Sequence, residues 1–140
     1  MVKYKKILVM GLPGSGKTYL ADTINKIMDC ERINADEVRK KVNDWDFSEA
    51  GRIRQAKRMK KLSDQALKKN KNVIVDFICP TPKTRAEFNA DFVIWMDTIK
   101  SGRFEDTNKL FVEPKNYDYR VKEKNSEVIA IDIVKKIQDR

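Results

Sequence analysis

A glycine-rich segment near the N-terminus has the residue types needed to handle phosphate groups. Residues 11–18 read G-L-P-G-S-G-K-T, the pattern G-x-x-x-x-G-K-T, directly after the apolar run Ile7–Met10. Glycines let successive backbone N–H groups turn toward one point, where they and the positive end of the following helix surround a phosphate. The segment therefore predicts binding of a nucleoside triphosphate, and an ordinary glycine-rich turn is the plain alternative.

The residues of this loop have separate expected roles. Lys17 is expected to bridge the outer phosphates and to act in catalysis, and the Thr18 hydroxyl is expected to hold Mg²⁺. ATP and Mg²⁺ are the expected cofactors. The residues predicted to bind ATP are Gly11, Pro13, Gly14, Ser15, Gly16, Lys17 and Thr18.

Two carboxylates follow later strand patterns. Asp36 comes after a short strand at 32–34, where it is placed to orient an acceptor hydroxyl or to hold Mg²⁺, and Arg39 lies one helical turn beyond it. Asp76 ends the apolar run 72–75, the position of a Walker-B aspartate. In the alternative, Asp36 caps its helix, Arg39 is solvated and Asp76 caps the next turn. The predicted metal-binding residues are Thr18, Asp36 and Asp76.

A long basic helix is predicted from Ser48 to about Lys69. Arg52 and Gln55 share a face with Arg58 at three-residue spacing, so one side of the helix is suited to an anion while most of its other charges face water. Phe47, just before the helix, is either a plug in the core or a surface on which a purine stacks.

Composition sets the class of protein. The 140 residues fit one domain, spanning 1–140, and the 30 Lys and Arg against 21 Asp and Glu give a net charge of +9, which suits anionic partners. Without histidine, carboxylates, lysines and arginines remain for chemistry. Cys30 and Cys79 have no metal-ligand spacing and indicate reduced thiols in a cytoplasmic protein, and no apolar run is long enough to span a membrane.

Strand patterns alternate with helix patterns, which is typical of a parallel sheet wrapped by helices in a three-layer α/β/α sandwich. Residues 98–116 show neither pattern and are predicted to form a mobile lid. The predicted strands are Ile7–Met10, Arg32–Asn34, Asn72–Phe77, Phe92–Met96 and Tyr117–Val121. The predicted helices cover residues 18–28, 36–42, 48–69 and 83–89, with a last helix capped by Ser126.

Four motifs in this order resemble those of adenylylsulfate kinases. They are the loop 11–18, D-E-V-R at 36–39, F-S at 47–48 followed by Arg52 and Gln55, and F-I-C-P at 77–80. The resemblance covers roughly residues 5–98. It implies a P-loop kinase of sulfate assimilation that transfers the γ-phosphoryl group of MgATP to the ribose 3′-hydroxyl of adenosine 5′-phosphosulfate. The residues implied to bind this nucleotide substrate are Arg39, Phe47, Arg52, Gln55, Phe77, Ile78 and Phe104.

The chain also departs from the motifs of that family. Asn34 and Gly51 stand where the family has aspartates, and Cys79 replaces the serine of F-I-S-P. The basic lid is cut to residues 99–110, with Arg103-Phe104 as its remnant, which implies looser closure or completion of the site by another subunit, as in a homodimer. Two alternatives stay open. One is a different small kinase, acting on a metabolite or on the 5′ end of a polynucleotide, and the other is a nucleotide-binding module without turnover.

Overall fold

The computed structural model describes residues 3–102 and 104–140, and this part of the chain forms five strands and six helices. The strands are β1 (Lys6–Gly11), β2 (Cys30–Asn34), β3 (Asn72–Asp76), β4 (Phe92–Met96) and β5 (Tyr119–Val121). The helices are α1 (Lys17–Ile27), α2 (Ala35–Val42), α3 (Glu49–Lys68), α4 (Pro82–Phe88), α5 (Glu105–Leu110) and α6 (Ser126–Gln138).

All strand pairs are parallel, and the order across the sheet is β2-β3-β1-β4-β5. The register places Asp76 of β3 between Val9 of β1 and Asn34 of β2. Because the carboxyl ends of parallel strands meet at one edge, the glycine-rich loop, Asn34 and Asp76 gather there. The predicted α/β fold with a parallel sheet is confirmed.

Both faces of the sheet are buried, which explains why the strands read as continuous apolar runs. On one face, Ile7 and Val9 of β1 pack with apolar residues of α1 and α6. On the other, Leu8 and Met10 pack with apolar residues of α3 and with Phe88 of α4. The two layers of helices hold the edge of the sheet in a fixed geometry.

Some predicted boundaries are wrong. β5 begins at Tyr119, two residues later than predicted, and α5 lies inside the segment predicted to have no regular structure. Ser126 does not cap α6, because the N-cap position is Asn125, which makes no side-chain capping bond. Thr107 of α5 is buried and accepts a hydrogen bond from Arg52, so a tertiary contact orders a segment whose local sequence is ambiguous.

Two further observations concern the whole described chain. Cys30 and Cys79 are both free, as predicted. Among the helices in residues 3–102 and 104–140, none combines the length and the apolar character that a membrane crossing requires.

Candidate active site

The glycine-rich loop has the backbone conformation that a phosphate-binding loop needs. Gly11 has a φ of 152°, and a Cβ atom there would lie 2.8 Å from the carbonyl oxygen of Met96, so only glycine fits. Gly16, at the N-cap of α1, has a φ of 98°. In the described chain no side chain caps this helix end and its first turn has no acidic residue, so the positive end of α1 faces the loop.

Segments that follow β4 and β5 fix the position of the loop. Thr98 donates a hydrogen bond from Oγ1 to the carbonyl oxygen of Ser15 at 2.7 Å, and Lys124 Nζ donates to that of Gly14 at 3.0 Å. Lys17 Nζ donates to the carbonyl oxygen of Leu12 at 2.9 Å. The Lys17 ammonium group is therefore held inside the loop, the position from which it can meet a phosphate.

Asp76 lies at the centre of a polar group that we call the Asp76 cluster, made of Thr18, Arg32, Asn34 and Asp76. Asp76 as a whole residue is 2 % exposed. Its Oδ2 accepts a hydrogen bond from Thr18 Oγ1 at 2.8 Å and one from Asn34 Nδ2 at 3.1 Å, and its Oδ1 pairs with the Arg32 guanidinium. The cluster joins β2 and β3 to the first turn of α1.

The donor set of this cluster fits Mg²⁺ when a nucleotide is present. Hydroxyl, carboxylate and phosphate oxygens are the ligands that this hard cation prefers. Within residues 3–102 and 104–140, no three acidic, cysteine or histidine side chains gather around a point where a metal would sit. A magnesium ion at Thr18 would therefore take most of its other ligands from phosphate and water oxygens.

Asp36 and Arg39 lie on α2 in different environments. Asn34 caps this helix, accepting a hydrogen bond on Oδ1 from the backbone N–H of Glu37 at 3.0 Å, so the alternative in which Asp36 is the cap is wrong. Asp36 is exposed in the first turn. Arg39 is only 4 % exposed, so the alternative in which it is solvated is wrong as well.

Arg39, Phe47 and Arg52 form a second group, which we call the acceptor cluster. The Cζ atoms of Arg39 and Arg52 lie 4.4 and 5.4 Å from the centroid of the Phe47 ring. Arg39 donates to the carbonyl oxygens of Asp44 and Asp46, at 2.8 and 3.2 Å. Phe47 is 48 % exposed, so it is not a plug in the core, and stacking of a purine on its ring stays a prediction.

Both guanidinium groups of the acceptor cluster are buried without a carboxylate partner. Arg52 is 8 % exposed and donates to the carbonyl oxygen of Phe47 at 3.0 Å and to Thr107 Oγ1 at 3.1 Å. Among the described residues, no carboxylate oxygen lies within 4.0 Å of Arg39 or Arg52. Burial lowers the pKa of both groups from the ordinary arginine value. Buried cations without an ion pair in contact are suited to bind the anionic group of a ligand.

The other residues predicted to bind substrate lie in varied surroundings. Gln55 is buried, and both polar atoms of its amide are hydrogen-bonded. Its Nε2 donates to the carbonyl oxygen of Ala35 at 3.0 Å, and its Oε1 accepts from Arg58. Phe77 packs edge-on against Phe88 with ring centroids 5.4 Å apart. Ile78 is half-buried, and Phe104, at the N-cap of α5, is 57 % exposed. Arg103 lies outside the described residues.

Residues 43–48, between α2 and α3, form a clasp that the sequence did not reveal. Asp44 accepts hydrogen bonds from Arg54 at 2.8 and 3.0 Å and from Arg58 at 2.8 Å, and Asp46 accepts one from Arg54 at 3.1 Å. Hydrogen bonds from Ser48 and Arg54 lower the pKa of Asp46 to about 2. The sequence feature that could have indicated these ion pairs is the presence of Asp44 and Asp46 just before the basic helix α3. The clasp holds Phe47 in place beside Arg39.

The clasp predicts an inverted effect for a substitution at Gly51. In most helices Gly→Ala stabilises by about 1 kcal/mol. Here a Cβ at position 51 would lie 2.1 Å from the carbonyl oxygen of Asp46, so we expect Gly51→Ala to destabilise the protein by about 1–3 kcal/mol in urea unfolding. Ala50→Gly, at the exposed neighbouring position, reports the ordinary helix effect. Greater stability of Gly51→Ala than of the wild type would contradict this packing.

The sequence also did not indicate a cavity that lies on the side of the loop away from the acceptor cluster. It has a volume of about 370 Å³ and lies beside the ends of β4 and β5, near the contacts that Thr98 and Lys124 make with the loop. Its lining residues are Asp97, Thr98, Ile99, Lys100, Arg120 and Lys122. Their chain segments carry no recognisable motif, so only the folded sheet brings them together.

An all-parallel sheet, a glycine-rich loop between β1 and α1, and Asp76 at the end of β3 together define the P-loop kinase fold. The chain matches the model of the family described as "AAA domain" over residues 7–93, more than half of its length, and it belongs to that family. No curated protein matches it.

Solved kinase structures share this fold. An adenylylsulfate (APS) kinase of Mycobacterium tuberculosis, in complex with AMPPNP and APS, is 19% identical with a TM-score of 0.77, covering 99% of each chain. A sugar kinase from Janibacter sp. is 14% identical with a TM-score of 0.73, covering 96% of this chain and 95% of its own. A shikimate kinase from Aquifex aeolicus is 17% identical with a TM-score of 0.66, covering 96% of each chain. At these identities the likeness establishes the fold.

Proposed function

We propose that this protein is an ATP-dependent kinase that phosphorylates the ribose 3′-hydroxyl of adenosine 5′-phosphosulfate. The observation that carries the proposal is the acceptor cluster, in which two buried guanidinium groups lie beside the half-exposed ring of Phe47. An acceptor with both an anionic group and a planar base matches this combination. The likeness to an adenylylsulfate kinase solved with AMPPNP and APS supports the same acceptor.

The proposed site has a donor side and an acceptor side. The phosphates of ATP lie in the glycine-rich loop at the positive end of α1, and the nucleoside extends into the cavity beside β4 and β5. The acceptor lies on the other side of the loop, between α2 and α3. Transfer between them requires the acceptor hydroxyl to face the γ-phosphate in line with the bond that breaks.

The chain's own residues then supply orientation and charge. Asp36 accepts a hydrogen bond from the 3′-hydroxyl and takes its proton as the oxygen–phosphorus bond forms and ADP leaves. Lys17 stabilises the negative charge on the transferring group, and Thr18 holds Mg²⁺ together with the phosphates. When bound there, Mg²⁺ would supply positive charge that offsets the negative charge of the phosphates.

A kinetic comparison of acceptor and donor tests the assignment of the acceptor cluster. We expect Arg52→Ala to raise the KM for adenylylsulfate by roughly 10- to 100-fold with little change in the KM for ATP, because a charge-assisted hydrogen bond contributes about 1.5–3 kcal/mol. Phe104→Ala should raise the same KM less, through lost stacking on the adenine. Lys57→Ala, an exposed change on the same helix, is the control and should leave both KM values unchanged.

Calorimetry with ADP present decides whether adenylylsulfate binds at all. Absence of binding by the wild type would contradict the proposed acceptor. ADP release with a sugar or another small anionic metabolite would then assign the protein to a different kinase, a candidate favoured by the shared fold of the sugar and shikimate kinases. No ADP release with any acceptor would favour a nucleotide-binding module without turnover.

A polynucleotide is a second candidate acceptor, favoured by the outer face of α3. Lys57, Lys61 and Lys68 are exposed there, and within the described residues none of them lies within 4.0 Å of a carboxylate oxygen. A line of unpaired lysines suits a phosphate backbone. Affinity for a 5′-hydroxyl oligonucleotide that falls steeply with salt would support this candidate, whereas adenylylsulfate binding should depend only modestly on salt.

A further inference from the structure

Asp76 is surrounded by donors that belong to the protein. Asn34 lies directly opposite Asp76 in the register of β2 and β3, and Arg32 lies two residues earlier on β2, so both side chains share a face of the sheet with the carboxylate. Arg32 pairs with Oδ1, while Asn34 and Thr18 donate to Oδ2. Each carboxylate oxygen therefore has a partner before any ligand arrives.

Arg32 connects three elements of the fold. Besides its pair with Asp76 on β3, its Nε donates to Asp22 Oδ1 on α1 at 2.8 Å, and its Nη1 donates to the carbonyl oxygen of Ile33 at 2.9 Å. The Asp76 side chain is 3% exposed and that of Asp22 is 56% exposed. The Arg32–Asp76 ion pair is thus buried. The Arg32–Asp22 ion pair lies at the surface and contributes little to the free energy of folding.

Electrostatics explains why a buried Asp76 requires this arginine. A buried carboxylate is costly unless a cation and hydrogen-bond donors compensate its charge. At the carboxyl edge of a parallel sheet, a divalent cation is one way to supply that charge. Arg32 supplies it from the chain, and a metal ion bound directly to Asp76 would have to displace Arg32 from the same oxygen.

Thr18 links Asp76 to the nucleotide side of the site. Its hydroxyl proton points to Asp76, and from the described residues Thr18 Oγ1 accepts only a long contact of 3.5 Å from Asn34 Nδ2, which leaves lone-pair capacity on Oγ1 to face a metal. The orientation of this hydroxyl depends on Asp76, and that of Asp76 depends on Arg32 and Asn34. A change at Arg32 is therefore transmitted to the atom that would touch Mg²⁺.

We propose that Arg32, together with Asn34, is a positioning residue that takes the place of a metal ion at Asp76, so that Mg²⁺ enters the site only with the nucleotide. The proposal rests on the proposed function to the extent that MgATP is the bound form. In the nucleotide-free protein, Arg32 fixes the orientation of the Thr18 hydroxyl through Asp76. Thr18 then contacts a metal ion that arrives bound to the phosphates of the nucleotide.

A titration of Mn²⁺ into the nucleotide-free protein, followed by electron paramagnetic resonance, tests the first half of the proposal. We expect no binding by the wild type below about 1 mM, because one carboxylate already paired with arginine makes a poor site for a divalent cation. Asn34→Asp adds a carboxylate about 3 Å from Asp76 and should bind Mn²⁺ at least tenfold more tightly. Wild-type binding at micromolar Mn²⁺, or no gain for Asn34→Asp, would overturn the proposal.

Calorimetry of ADP with and without Mg²⁺ tests the positioning role. We expect Arg32→Met to weaken MgADP binding roughly tenfold and to leave binding of metal-free ADP, measured in EDTA, nearly unchanged, since only the metal complex uses the orientation of Thr18. Arg32→Lys should recover part of the loss because it keeps the charge. Asp22→Asn removes the exposed partner of Arg32 and is the matched control, with both affinities expected to stay at wild-type values.

The two forms of ADP separate positioning from a general structural effect. Equal weakening of ADP and MgADP by Arg32→Met would overturn the positioning role, as would no weakening of either. If Arg32→Met fails to fold, Arg32→Lys and the Mn²⁺ comparison still decide the question. Failure of the wild type to bind any ADP would overturn the proposed function, while the Mn²⁺ titration of wild type and Asn34→Asp would continue to test this inference by itself.

Discussion

Lys17→Ala is expected to lower kcat by about 10²–10³-fold while the fold stays intact. The Lys17 ammonium group is held within the loop, 2.9 Å from the carbonyl oxygen of Leu12, and it stands at the start of α1, where the proposed mechanism has the outer phosphates of ATP. Removing a cation that faces a transferring phosphoryl group costs on the order of 3–4 kcal/mol of transition-state stabilisation. The measurement is steady-state ADP production at saturating acceptor.

Lys26→Ala is the matched control for this prediction. Lys26 is an exposed basic residue in the last turn of the same helix, so its loss tests the effect of net charge and of helix α1 stability without touching the loop. It should leave kcat near the wild-type value. Retention of more than about a tenth of the wild-type rate by Lys17→Ala is more than a loss of this size permits, and it would remove the loop from the mechanism.

Asp36→Asn is expected to lower kcat by roughly 10²–10⁴-fold with little change in ATP affinity. Its carboxylate is exposed in the first turn of α2, two residues after Asn34, so no packing or capping role accounts for it. An amide of the same size keeps the shape but cannot take the proton of the acceptor hydroxyl, and general base catalysis contributes about that factor. The measurement is kcat compared with the Kd for ATP.

Glu37→Gln provides the control for charge at the start of α2. Glu37 is exposed in the same turn, and either carboxylate interacts favourably with the positive end of the helix by about 0.3–1 kcal/mol. If Asp36 only stabilises the helix, both variants should lower Tm equally and leave kcat unchanged. A kcat of Asp36→Asn within twofold of the wild type would support that structural role and exclude Asp36 as the base.

The clasp distinguishes this chain from the adenylylsulfate kinase pattern that it resembles. Gly51 stands in the place of an aspartate, and the space above it is filled by Asp46 of residues 43–48. The carboxylates of Asp44 and Asp46 turn to Arg54 and Arg58, whereas Arg39 receives only carbonyl oxygens from this segment. The clasp thus pairs Arg54 and Arg58 with carboxylates and leaves Arg39 and Arg52 without an ion pair in the part of the chain that the structure describes.

Local patterns in the sequence determined the parallel sheet and the phosphate-binding loop. Apolar runs at β1, β3 and β4 could be read directly, since strands buried on both faces carry no alternation. The loop could be read because its glycines are required by backbone conformation within a few residues, as at Gly11. The cap of α3 was also local: Ser48 Oγ accepts from the backbone N–H of Gly51 at 3.2 Å, as its position predicted.

The tertiary structure alone decided which charged residues act together. Thr18 and Asp76 are 58 positions apart in the chain and Arg52 and Thr107 are 55 apart, yet each pair is joined by a hydrogen bond. No local pattern records such contacts, because an arginine on a helix face reads the same whether it is solvated or buried. The sequence nominated Arg39 and Arg52 for anion binding but left open whether they are solvated, and only the fold showed that both are buried without an ion pair to any described residue. Arg32 became a partner of Asp76 only when parallel pairing set β2 beside β3.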